Sequence, residues 1–94
     1  MIKSFSNDDL EIFFHNGDVP KYKNIAGPLA RKLRLLNTAE DLNDLRVPPR
    51  NNLEKLKSDR KGQYSIRVND KLRLCFVFTD GNVYELELVD YHKG

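Results

Sequence analysis

Apolar residues recur along this chain in two rhythms, and the change between them falls at Pro48-Pro49. Before the proline pair the spacing is three to four residues; after it the spacing is two. Leu10, Phe13 and Phe14 fit a short amphipathic helix. Ser6-Asn7-Asp8-Asp9 reads as its capping box, with Ser6 as N-cap and Asp9 at N3, and Asn16-Gly17 as its left-handed stop. Ala26, Leu29, Leu33 and Leu36 make one stripe of a second helix, with Arg31, Lys32 and Arg34 largely off it. Gly27-Pro28 suits its first turn, since proline there costs no helical hydrogen bond, and a start nearer Asn24 is an alternative. Thr38-Ala39-Glu40-Asp41 is expected to cap a third short helix carrying Leu42 and Leu45, which the prolines end. Ile2 to Phe5 is expected to make a short first strand.

Beyond the prolines the period is that of a sheet. Tyr64, Ile66 and Val68 alternate with Gln63, Ser65, Arg67 and Asn69. Leu72 to Thr79 is apolar almost throughout, as in a central strand, with Arg73 as its one charge. Val83 to Val89 alternates again, Tyr84, Leu86 and Leu88 against Glu85 and Glu87. Phase then selects loop length, because a one-residue slip turns every side chain over. A three-residue loop Asn69-Asp70-Lys71 pairs Val68 with Leu72 and Ile66 with Leu74. A two-residue turn at Asp80-Gly81 would set Cys75 against Leu86. A three-residue loop Asp80-Gly81-Asn82 sets Phe76 against Leu86 and Leu74 against Leu88, and burial favours it. The predicted apolar face is Tyr64, Ile66, Val68, Leu72, Leu74, Phe76, Phe78, Tyr84, Leu86 and Leu88. The expected class is α+β: two to three N-terminal helices packed on one face of an antiparallel sheet.

The other face gathers charge. Arg67 falls directly opposite Arg73, an arrangement that destabilises a sheet unless something else is gained. Glu87 and Val89 neighbour Arg73, and Tyr91 shares their parity. The plainer reading is an Arg73–Glu87 ion pair. Because Arg73 lies off the apolar face, its truncation is expected to open no cavity. Leu53 and Leu56 are three apart; a bulge between them would bring Glu54 and Lys57 to the arginine face.

Composition narrows the class. Ninety-four residues make one domain with a modest core, 1–94. No apolar run is long enough to span a membrane, and the first residues lack the apolar core of a signal peptide. The single cysteine, Cys75, forms no intrachain disulfide and reads as inert core; a cytoplasmic setting fits. The net charge of +2 hides an uneven distribution: Arg50 to Arg73 carries eight Lys or Arg against three acids, a local +5. Such a segment suits a polyanion, although a solvated surface gives the same count. The two histidines, His15 and His92, stand far apart with no Cys/His cluster, so neither a zinc site nor any cofactor is expected. His15, in the last turn of the first helix, is best explained by the helix dipole.

Several stretches in order carry a family resemblance: Met1 to Phe5, Leu56-Lys57-Ser58-Asp59-Arg60-Lys61-Gly62-Gln63-Tyr64-Ser65-Ile66-Arg67-Val68-Asn69-Asp70, Leu72 to Phe76, and Val89-Asp90-Tyr91-His92. The chain resembles HigB-type toxins of the RelE superfamily, in the branch with the GraT-like toxins. The resemblance implies a small α+β domain and an endoribonuclease that cuts mRNA in the ribosomal A site. It also implies a helix-turn-helix antitoxin of HigA or GraA type, encoded beside the toxin. Several HigB toxins have histidine where this chain has Glu54; the GraT-like branch has glutamate.

RNA cleavage needs three things: a base for the 2′-OH, cations for the charged phosphorane and an acid for the leaving 5′-oxygen. Under this resemblance Glu54 is the expected base, Arg73 the phosphate clamp and His92 the acid, with no metal. Lys57 and Arg67 would hold the backbone, Asp90 would orient His92, and Tyr91 would stack on a base or touch the phosphate. Arg60, Lys55 and Lys61 join Arg67 as expected RNA contacts. Two other classes stay open: an inhibitor that binds RNA or the ribosome without cutting, and an interaction module for an acidic protein.

Overall fold

The computed structural model describes residues 1–90. Two helices, α1 (Asp8–Asn16) and α2 (Ala26–Thr38), precede four strands, β1 (Glu54–Lys55), β2 (Tyr64–Arg67), β3 (Leu72–Thr79) and β4 (Asn82–Asp90). The strands form one antiparallel sheet in the order β1-β2-β3-β4. Leu10 and Phe13 of α1 and Leu29, Leu33 and Leu36 of α2 are buried with Ile66, Leu74, Phe76, Val83 and Leu86 of the sheet. Leu45 joins them from a 3₁₀ turn, Leu42–Arg46. This is the expected α+β arrangement. The expected third helix is that single turn, because five residues before a proline pair leave no room for more.

Helix boundaries differ from the sequence reading where another partner outcompetes the cap. Gly17 ends α1 at φ 73° and donates its N–H to the Phe13 carbonyl, as expected. Ser6, however, is no N-cap. Its N–H bonds the Leu86 carbonyl at 2.7 Å, and Asn7 takes the cap position without a side-chain cap bond. The Asn7 side chain instead accepts from the Leu88 N–H at 2.7 Å. Thr38 is the last residue of α2, its hydroxyl donating to the Arg34 carbonyl. The capping box lies further on, between Asp41 and Asp44. A 3₁₀ run, Pro20–Ile25, leads straight into α2, so Pro28 falls at the third helical position, where its missing N–H is still harmless. Ile2 and Phe5 make isolated parallel bridges to Val83 and Leu86 rather than a full strand.

The β2–β3 register matches expectation: Ile66 faces Leu74, Arg67 faces Arg73, and the Val68 N–H bonds the Leu72 carbonyl. The β3–β4 pairing combines both of the registers weighed above. Near the turn Thr79 faces Asn82, Phe78 faces Val83 and Val77 faces Tyr84, so the connection is the two-residue Asp80-Gly81 turn. Both turn residues have positive φ, 53° and 78°, as a tight hairpin turn requires. A bulge opposite Phe76, with Glu85 at φ 53°, then shifts the register by one. Beyond it Cys75 faces Glu87, Leu74 faces Leu88 and Arg73 faces Val89. The inner register is therefore as expected and the loop length is not. One consequence is that Val83 is buried in the core. Tyr84, expected there, pairs with Val77 outside it.

Candidate functional site

The face of the sheet away from the helices is organised by these registers. One cross-strand row runs Glu54–Ser65–Cys75–Glu87, and the next runs Arg67–Arg73–Val89. Arg73 is only 9% exposed. Its Nε donates to the Ser65 hydroxyl at 2.8 Å, and Nη2 donates to the Ser65 carbonyl at 3.3 Å. Nη2 also bonds the Asn52 carbonyl. The Glu54 carboxylate, itself 58% exposed, approaches Nη2 at 3.8 Å. The cation is thus fixed in orientation before any ligand arrives, with a solvent-accessible carboxylate beside it.

Glu54 reaches this face without the expected bulge. Glu54 opposite Ser65, Lys55 opposite Tyr64 and the Leu56 N–H to the Gln63 carbonyl keep a single register. Leu53 lies before the strand and packs against the core. The same alternation sends Lys55 to the Tyr64 side, away from Arg73. Lys57 is exposed and N-caps the 3₁₀ turn Ser58–Arg60. Glu87 does not pair with Arg73. It bonds Arg60 at 3.0 Å, and Arg60 also donates to the Gln63 side chain. Arg67 pairs with Asp70, three residues on. Lys61 is exposed at the C-cap of the same turn as Arg60. Asp90 ends β4 opposite Leu72, on the parity of Leu88 rather than of Arg73. Tyr91 and His92 lie outside the described residues.

Three residues escaped the sequence reading. Ser65 was an outward polar residue by alternation, yet it is fully buried under the Arg73 guanidinium. Asn51, also fully buried, donates to the Leu45 and Val47 carbonyls at 3.1 and 3.2 Å and accepts from Lys32. Asn52, at φ 45°, turns its carbonyl to Arg73. An asparagine pair after two prolines signals a turn, and nothing in it signals burial. Cys75 is buried as expected, but on the Ser65–Glu87 row rather than in the helix-covered core. The burial of Arg73 overturns one expectation directly: truncating it would strand Ser65 and Asn52 and leave a cavity. Among the described residues no three His, Cys, Asp or Glu side chains come together as metal ligands would. Among the same residues no helix is long and apolar enough to cross a membrane.

The chain is 38% identical over 95 residues to Toxin HigB-1 of Vibrio cholerae, covering 99% of each chain. It is 34% identical over 95 residues to Endoribonuclease HigB of Proteus vulgaris, covering 98% of this chain and 100% of that one. The fold is similar to that of the YoeB–YefM toxin–antitoxin complex from Staphylococcus aureus, at a TM-score of 0.60, 24% identity and 99% coverage of both chains. Residues 3–92 match the model of the HigB-like toxins, described as the RelE-like toxin of type II toxin–antitoxin system HigB, and the chain belongs to that family.

Proposed function

We propose that this chain is the toxin of a type II pair in the cytoplasm, that it cuts mRNA in the ribosomal A site without a metal, and that a helix-turn-helix antitoxin neutralises it. The observation that carries the reading is Arg73: a guanidinium held by Ser65 and Asn52, with the Glu54 carboxylate 3.8 Å away. A cation whose orientation is already fixed loses little freedom when it meets the charge that develops on a phosphorane. The name of the Proteus vulgaris relative points to the same activity.

Glu54 takes the proton of the 2′-OH, whose oxygen attacks the adjacent phosphorus. The bond from phosphorus to O5′ breaks, and His92 gives its proton to the departing oxygen. The products are a 2′,3′-cyclic phosphate and a 5′-hydroxyl. Arg73 stabilises the phosphorane between them, and the nucleophile is supplied by RNA itself.

End-group analysis and primer extension on cellular mRNA after brief expression test this. Wild type should leave cyclic phosphates at cuts within translated frames, and purified protein should cut ribosome-bound mRNA in preference to free mRNA. Glu54→Gln, Arg73→Lys and His92→Gln should each slow cleavage, by roughly a hundred- to a thousandfold where a transition-state contact is lost. Cells with the intact operon should be protected, and both chains should co-purify. A 3′-hydroxyl product would exclude this chemistry. Undiminished growth arrest by Arg73→Lys, with no cut RNA, would move the reading to inhibition by binding alone.

A further inference from the structure

Beside Arg73 lies a second collection of cations, of which Arg67 alone was expected from the sequence to touch RNA. Arg50, Pro49, Asn52 and Arg67 line an open cleft of about 510 Å³. Its walls come from separate elements: Arg67 from β2, and the rest from the 3₁₀ turn Pro49–Asn51 and the residue after it. Lys32 of α2 stands behind the turn, its ammonium bonded to the Asn51 side-chain carbonyl.

The cleft is short of negative charge. Among the described residues neither Arg50 nor Lys32 is paired with a carboxylate. Arg67 has Asp70, but that side chain is 94% exposed, and an exposed pair holds an arginine weakly. Lys32 has its pKa lowered from 10.5, first by burial and then by Arg31 and Arg67. Cations that repel one another with little carboxylate between them mark a place where an anion is missing.

The cleft is also rigidly built. Asn51 is fully buried, and its side chain satisfies the Leu45 and Val47 carbonyls while accepting from Lys32. The Asn52 carbonyl, on the far side of the same turn, is the one that orients Arg73. Asn52 therefore both lines the cleft and holds the guanidinium of the proposed active site.

We propose that this cleft is a phosphate subsite for single-stranded RNA, in which Arg50 and Arg67 clamp the backbone phosphate adjacent to the one at Arg73, and Lys32 and Asn51 are positioning residues. The placement of the RNA rests on the endoribonuclease reading. An acidic peptide could satisfy the same cations, but continuity with Arg73 through Asn52 favours a polymer with regularly spaced phosphates.

The probe is an eight-nucleotide 2′-O-methyl RNA, which cannot be cut, titrated into the full chain over a salt series. Arg50→Gln and Arg67→Gln should each weaken binding about tenfold or more and lower the salt slope, and the double variant should lower the slope by about 0.7, the one phosphate that the pair neutralises. Lys32→Met should raise KM for cleavable RNA more than it lowers kcat. Arg34→Gln, an exposed charge of α2 beside a different groove, should change neither affinity nor slope. Thermal melts of the variants control for folding, since Arg50 is exposed. Wild-type affinity and slope in Arg50→Gln would overturn the subsite, even if wild type cuts RNA as proposed. A slope change without any cleavage would sink the endoribonuclease reading and keep the subsite. Hexaglutamate binding that depends on Arg50, with RNA binding that does not, would overturn it in favour of an acidic protein partner.

Discussion

Replacing Arg73 by alanine removes more than a charge. The Ser65 hydroxyl and the Asn52 carbonyl lose a buried donor, and a space opens on a face where Ser65 and Cys75 are fully buried. Unsatisfied buried groups cost about 1–3 kcal/mol. We therefore expect Arg73→Ala to lower the free energy of unfolding by that order, read as a lower urea midpoint, as well as to stop cleavage. A midpoint equal to wild type would mean that the Ser65 and Asn52 contacts contribute nothing to stability. Arg73→Lys is the cleaner functional probe, because it keeps charge and much of the volume while losing the planar fork. Arg73 stood out in the sequence because a lone cation in an apolar strand demands a reason. Its surroundings did not. Alternation tells which way Ser65 points and not what lies over it, and the Asn51 and Asn52 bonds depend on the path of the chain after Pro49. Glu54 was placed on the correct face by an incorrect bulge: strand parity was readable, and the length of a two-residue strand was not.

At the scale of elements, the β3–β4 hairpin shows what hydrophobic phase can and cannot decide. Burial of Phe76 opposite Leu86 fixed the inner register, but phase alone cannot separate a longer loop from a tight turn followed by a bulge. Asp80-Gly81 is the better hairpin sequence, and the bulge at Glu85 absorbs the mismatch. The extra N–H that the bulge creates is satisfied: Glu85 N donates to the Ser4 hydroxyl at 2.8 Å. Two substitutions test this geometry. Gly81→Ala forces a side chain onto φ +78° with its Cβ 3.1 Å from the Glu40 carbonyl oxygen, and should cost about 1–2 kcal/mol. Glu85→Gly relieves a residue held at φ 53°, a gain of about 1–2 kcal/mol against an entropic cost of about 0.5–1. It should therefore be neutral to stabilising by up to about 1.5 kcal/mol. Urea midpoints check both, and a destabilised Glu85→Gly would contradict the bulge. The helix ends teach the same lesson from the other side. Ser6 and Asn7 have the chemistry of caps, but β4 needed acceptors and donors there, and a long-range pairing cannot be read from a four-residue motif.

For the whole molecule the question is how a four-stranded sheet closes its two edges. The β1 edge is kept short, two residues long, and carries exposed Lys55 with exposed Lys57 just beyond it, which discourage another strand from adding there. The β4 edge is long, and the N-terminal segment covers it. Val83 N bonds the Met1 carbonyl at 2.9 Å, Leu86 N bonds the Ser4 carbonyl at 3.0 Å, and Asn7 takes Leu88 N. The segment is pinned in turn by Ile2 N to the Asn37 side chain of α2 at 2.9 Å and by Phe5 against Phe14, with ring centroids 5.6 Å apart. The first residues thus join the helical layer to the far edge of the sheet and leave the Arg73 face untouched. Deleting residues 2 to 6 should uncover a row of β4 donors with apolar neighbours. The expected result is a lower urea midpoint together with association that grows with concentration, read by light scattering during size-exclusion chromatography. The oligomeric state and midpoint of the full chain, retained by the truncated protein, would show that β4 needs no cover and that these bonds are incidental.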